Sequence, residues 1–229
     1  MSPEFDVAAV FREELDRAVA DEVSKSGFAL EDWFIAGRQR DGHEAVAWWH
    51  ENGPAMVESF IDWWEHNPDI DVWVTPDGVP AIELSLDVRF GSIPFRGYVD
   101  LVLKIGTALV VVDLKTSAKV PASYRQLGFY ASGIELAYGI RPRYGTFFMN
   151  RGIGRSDPKT FFQRPVDLGV PQYSIAYLTR ELEQFEQGIQ AGVFPSNPGE
   201  SCARCGVAYA CTAAGGAKAR QLDPNWTRS

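Results

Sequence analysis

Apolar positions recur at helical spacing through the first third of the chain and alternate with polar ones after Asp71. Between Phe5 and Ser26, Val7, Val10, Phe11, Leu15, Val19 and Val23 predict one amphipathic helix, with Ser26-Gly27 as its stop. Glu44 to Glu51, with Trp48 and Trp49, predicts a second, shorter helix. Asn52-Gly53-Pro54 then breaks the chain, and Pro54 suits the first turn of a third helix over Ala55–His66. The intervening segment from Trp33 to Gly42 has no clear period and carries Arg38 and Arg40.

From Asp71 the period becomes that of strands. Asp71–Thr75, the Pro76-Asp77-Gly78 turn, Pro80–Phe90, the Gly91-Ser92 turn, Phe95–Leu103, the Gly106-Thr107 turn and Ala108–Leu114 predict a meander of short strands. Helical period returns over Ala122–Tyr138, stopped by Gly139. Tyr144–Asn150 and Thr160–Val166 predict two more strands, and Gln172–Ala191 a last helix with Leu178, Phe185 and Ile189 on one face. The pattern is that of an α/β fold: a central mixed, mostly antiparallel sheet flanked by helices, with a helical N-terminal part. The expected organisation is 1–70 helical, 71–192 core and 193–229 a cysteine-containing segment and tail, within a single compact domain.

Composition narrows the class. A chain of 229 residues, 45% hydrophobic and 13% aromatic, has enough apolar side chains to bury a core and is unlike a disordered segment. No run approaches the length of a membrane span, and the N-terminus lacks a basic stretch followed by an apolar one, so the expected location is the cytoplasm. The net charge of −8 argues against a general polyanion binder. The charge is nevertheless segregated: residues 88–164 carry twelve Lys/Arg against four Asp/Glu, leaving ten against twenty-six elsewhere. A basic middle in an acidic chain is what a localised phosphate-binding face requires, with Arg96, Lys119, Arg125 and Arg151 as candidate contacts.

The chemistry concentrates between Arg96 and Tyr130. Asp100 and Asp113 each belong to a β-branched apolar run on consecutive strands, which a hairpin brings side by side. Lys115 follows Asp113 by two residues and so shares its face of the sheet. Glu83, one strand earlier, is a candidate third carboxylate. Gln126 and Tyr130, one helical turn apart, are placed to orient Lys115 or touch a backbone phosphate. Converging carboxylates hold Mg²⁺ or Mn²⁺, which activates water and neutralises charge during phosphodiester hydrolysis, and a neighbouring lysine stabilises the developing negative charge. Read alone, an Asp-x-Lys pair at a strand end is also an ordinary surface ion pair.

Gly97-Tyr98-Val99-Asp100, Asp113-Leu114-Lys115-Thr116 and Gln126-x-x-x-Tyr130, in this order, resemble the successive motifs of RecB-like nucleases of the PD-(D/E)XK superfamily, which includes phage exonucleases and CRISPR-adaptation nucleases. The resemblance implies a restriction-endonuclease-like core. It also implies Asp100, Asp113 and the Leu114 carbonyl as metal ligands, and Lys115 as catalytic. In many members an upstream helical histidine joins the metal; His50 is the nearest counterpart, in surroundings that match poorly. Cys202, Cys205 and Cys211 resemble the C-terminal part of that family's iron–sulfur staple, but the chain has no fourth cysteine. A 4Fe–4S cluster would need a non-cysteine fourth ligand; zinc or a vestigial site are the alternatives.

The expected activity is therefore a divalent-metal-dependent DNA exonuclease. The competing expectations are an endonuclease of the same superfamily, and a DNA-binding recombination or assembly module working through a helicase or a single-strand annealing protein.

Overall fold

The computed structural model describes residues 6–33, 42–153, 160–193 and 211. The chain divides into two compact units, Met1–Ala55 with Phe194–Ser229, and Met56–Val193. In the first, α1 (Val7–Ser26) begins at Asp6, whose carboxylate accepts from the Ala9 amide at 2.9 Å, and ends at Gly27 with φ of 70°.

The break expected at Asn52-Gly53-Pro54 does not occur. A single helix, α2, runs Gly42–Glu65 with Pro54 inside it. Proline has no N–H, so the carbonyl of His50, four residues back, loses its helical donor. Arg12 of α1 replaces it, Nε donating to that carbonyl at 3.2 Å. Asn52 Nδ2 caps the Trp48 carbonyl at 2.8 Å. Gly53 lies inside this helix, where a Cβ would run into the Phe11 ring of α1. The Arg38/Arg40 segment lies outside the described residues.

The second unit holds the sheet. Among its described residues seven strands join: β1 (Ile70–Val72), β2 (Ile82–Phe90), β3 (Ile93–Ile105), β4 (Ala108–Lys115), β5 (Tyr144–Ile153), β6 (Thr160–Phe162) and β7 (Val166–Asp167). β3 is the spine, pairing antiparallel with β2, β1 and β4. β5 then runs parallel to β4 after the crossover helix α3 (Arg125–Tyr138), so the sheet is mixed and mostly antiparallel. The single strand expected over Thr160–Val166 is split in two at Gln163-Arg164-Pro165, where proline cannot continue a ladder; both pieces pair with β5.

Alternation along the strands builds a core on each face. Leu84, Leu86, Val99, Val102, Val111 and Phe147 pack against Leu127, Ala131 and Ile134 of α3. Leu101, Leu103, Val110, Val112 and Phe148 pack against Phe60, Trp63 and Trp64 of α2. Each fully buried side chain of this kind contributes about 1.5–3 kcal/mol. The last helix, α4 (Ile175–Gln190), is shorter than expected because Pro171–Tyr173 forms a separate 3-10 turn and Ser174 caps the helix. Its Leu178 is buried, whereas Phe185 and Ile189 stay exposed.

α3 is held against that turn by contact that tolerates no side chain. A Cβ on Gly128 would sit 2.5 Å from the Tyr173 ring, and the Tyr173 carbonyl is fixed by Ser132 Oγ at 2.7 Å and Arg141 at 2.8 Å. Gly128→Ala should therefore cost about 1–3 kcal/mol through overpacking. Thermal unfolding should show a midpoint lower by about 2–4 °C for each kcal/mol.

Candidate active site

Two strands and one helix assemble the site. Asp113 and Lys115, two apart on β4, lie on the α3 side of the sheet, and Lys115 Nζ stands 2.5 Å from Asp113 Oδ2. Lys115 Nζ also donates to Gln126 Oε1 at 3.2 Å, and Gln126 Nε2 donates to the Tyr130 hydroxyl at 2.8 Å. The ammonium lies 5.9 Å from the centre of the Phe147 ring, which gives it an apolar floor and a weak cation–π attraction. Phe147 was not apparent from motif spacing. The signal that finds it is the parallel crossover, which places Phe147 directly beside Asp113 in the β4–β5 register.

Asp100 reaches the same place through a defect in the sheet. Ala81, Leu84 and Leu86 share one core, as do Val99 and Val102, so the two-residue alternation slips once in each strand. The slip falls between the Ile82↔Leu101 and Leu84↔Val99 pairs, at Glu83 and Asp100. Glu83 has φ of 48°, the sole non-glycine residue with positive φ among those described. The register is unshifted across this break, and Asp100 Oδ2 accepts from the Leu114 amide of β4 at 2.7 Å.

A left-handed backbone costs a side-chain-bearing residue about 1–2 kcal/mol. Glu83→Gly should remove that strain and stabilise the metal-free protein by about 1 kcal/mol, read by denaturant unfolding. An unchanged metal requirement for cleavage in this variant would confine Glu83 to shaping the strand. A raised requirement would give its carboxylate a part in holding the ion.

The electrostatics are those of a site short of positive charge. Asp113 is 1% exposed. Burial pushes its carboxyl up from the usual range, Lys115 pulls it partly back, and Asp100 raises it again. Its Oδ2 is buried, and the Lys115 ammonium is the one group close to it among the described residues. Tyr130 is likewise raised, first by burial and then by the two carboxylates, so its hydroxyl stays neutral. Two carboxylates and a strand carbonyl are hard oxygen donors, a set that fits Mg²⁺ or Mn²⁺ better than a softer ion. Among the described residues no third His, Cys, Asp or Glu closes a cluster of metal-ligand type.

The remaining candidates are dispersed. His50 belongs to the first unit, where its Nε2 meets Asp16 Oδ1 at 2.7 Å. Arg96 pairs with Asp87 at 2.7 Å and Arg125 with Glu181, so both have carboxylate partners. Arg151 lies near the end of β5 and Lys119 in the loop after β4. Cys202 and Cys205 lie outside the described residues; Cys211 is a partly buried free thiol. Among the described residues no helix is long and apolar enough to cross a membrane.

The chain is 33% identical over 182 residues to the Gene 69 protein of Mycobacterium phage D29, a match covering 79% of this chain and 65% of that protein. It is 29% identical over 226 residues to the Gene 69 protein of Mycobacterium phage L5, covering 88% and 74% respectively. The chain thus spans somewhat less than two thirds of the D29 relative's length. A family model described as the PD-(D/E)XK nuclease superfamily matches residues 3–212, a span that includes both carboxylate strands and α3. The chain belongs to the PD-(D/E)XK nuclease superfamily.

Proposed function

We propose that this nuclease is a divalent-metal-dependent deoxyribonuclease that degrades DNA from its ends. The observation that carries the reading is the buried carboxylate Asp113, held beside Lys115, with a second carboxylate, Asp100, bonded to the amide of the adjoining Leu114. Asp100, Asp113 and the Leu114 carbonyl would hold the ion. When bound, Mg²⁺ or Mn²⁺ would supply activation of water and neutralisation of the phosphate charge.

The rest of the chemistry belongs to side chains already in place. Lys115, on a floor of Phe147, keeps its ammonium next to the carboxylates and stabilises negative charge developing on the phosphate. Gln126 fixes the Lys115 rotamer, and Tyr130, neutral and itself bonded to Gln126, fixes Gln126. The basic balance of residues 88–164 favours a phosphate backbone near this site in a chain that otherwise repels one.

Linear and closed circular DNA of the same sequence separate end-dependent from internal cleavage. With Mn²⁺ or Mg²⁺ present, the linear form should disappear while the closed circle persists, and chelation should preserve the linear form as well. Loss of the closed circle at a comparable rate would replace exonuclease with endonuclease.

A further inference from the structure

The side chain that holds Lys115 stands on a weak point of the fold. Gln126 is the second residue of α3, and the first turn of a helix frays unless its free amides and its positive end are satisfied. The Arg125 amide is met by Ser123 Oγ at 3.2 Å, but Tyr124, the residue before the helix, contributes no side-chain cap. The first turn contains no acidic residue. It opens instead on Arg125, the disfavoured charge at a helix N-terminus. The local sequence thus works against the very turn that carries Gln126.

The compensating negative charge comes from another helix. Glu181 of α4 pairs with Arg125 through Oε1. Its side chain is 19% exposed against 48% for Arg125, so the carboxylate is the fixed member of the pair and the guanidinium the one it anchors. α4 is in turn seated on both sides of Glu181. Leu178 is fully buried, and a Cβ on Gly91, in the turn between β2 and β3, would lie 2.9 Å from Thr179 and 3.0 Å from Glu183. The contacts run from this seated stretch through Glu181 to Arg125 and the adjoining Gln126. Gln126 Oε1 accepts from Lys115 at 3.2 Å, and Lys115 faces Asp113.

We propose that Glu181 is a positioning residue of the site: through Arg125 it holds the first turn of α3, and with it Gln126 and the Lys115 ammonium, in place. Arg125 then serves the reaction from inside the fold rather than as a contact to the substrate backbone. The inference rests on the deoxyribonuclease reading above and adds to it the residues that keep Lys115 aimed.

The test compares steady-state cleavage by the wild type, Glu181→Gln, Glu181→Lys and the charge-swapped Arg125→Glu/Glu181→Lys at saturating Mn²⁺. Glu181→Gln keeps the shape and removes the charge. It should lower kcat about 3- to 10-fold, the combined size of a partly exposed ion pair and a charge at a helix end, with KM for DNA unchanged. Glu181→Lys should lower kcat further. The swap restores the pair and puts the favoured charge in the first turn, so it should recover most of that loss. In a Gln126→Ala background, Glu181→Gln should lower kcat no further, because the residue through which it acts is gone. An additive loss in that background, or a swap no better than Glu181→Lys alone, overturns the proposal. An effect confined to KM would make Arg125 a phosphate contact and overturns it equally.

A second arm needs no turnover. Amide hydrogen exchange should rise at the start of α3 in Glu181→Gln, remain unchanged along β4, and return towards the wild-type rate in the swap. If the wild type cleaves nothing with Mg²⁺ or Mn²⁺, the deoxyribonuclease reading has failed, and this arm still decides whether the pair holds the turn of Gln126. Faster exchange confined to that turn supports it; unchanged exchange there overturns it.

Discussion

Asp113→Asn should lower cleavage by on the order of 10³-fold or more, because the several kcal/mol of charge stabilisation that a bound ion provides depends on this carboxylate. The same substitution should raise the thermal midpoint of the metal-free protein at neutral pH. Asp113 is buried, and burial outweighs Lys115 in setting its carboxyl, so its folded-state value lies above the unfolded one. A group raised in this way favours folding while protonated, below its unfolded value of about 3.9, and that contribution is lost as pH rises through the folded-state value. The ionised carboxylate is therefore a cost to the fold at neutral pH, and asparagine removes it. Melting both proteins with chelator from about pH 3 to about pH 8 should show the variant's advantage shrinking as the pH falls. A variant less stable than wild type throughout would mean that the Lys115 contact outweighs burial.

Lys115→Met should reduce kcat by about 10²–10³-fold, the usual effect of removing one group aimed at developing negative charge. Methionine keeps the apolar stem over Phe147 but removes the ammonium that faces Asp113 Oδ2 at 2.5 Å and donates to Gln126 Oε1. The ion's ligands are untouched, so Mn²⁺ affinity, measured by calorimetry, should fall little or rise as a competing positive charge leaves the carboxylates. Single-turnover cleavage at saturating metal isolates the chemical step. A loss confined to metal affinity would make Lys115 a positioning residue for Asp113.

Most of what positions these groups was readable along the chain because it depends on local periods. Alternation placed Asp113 and Lys115 on one face, glycines at 91 and 106 ended strands at positive φ, and the one-turn spacing of Gln126 and Tyr130 put them in contact. What could not be read depends on partners distant in sequence. The uninterrupted α2 requires Arg12 to satisfy the carbonyl that Pro54 abandons, an interaction spanning 38 positions. The break in alternation at Glu83 and Asp100 is a property of two strands jointly, since it falls at the same place in both. Phe60 and Trp64 read simply as the apolar face of a helix. That they wall a cavity beside Asp100 emerges only when α2 lies against β2 and β3.

The central claim is that Asp100 and Asp113 jointly make a phosphodiesterase dependent on a hard divalent cation. End-labelled linear DNA, incubated with chelator and then with increasing Mn²⁺, tests it most directly when wild type, Asp100→Asn and Asp113→Asn are compared. The expected result is release of label by the wild type only above a threshold of Mn²⁺, with neither variant active at any concentration. Label released in chelator, or undiminished in either variant, would contradict it.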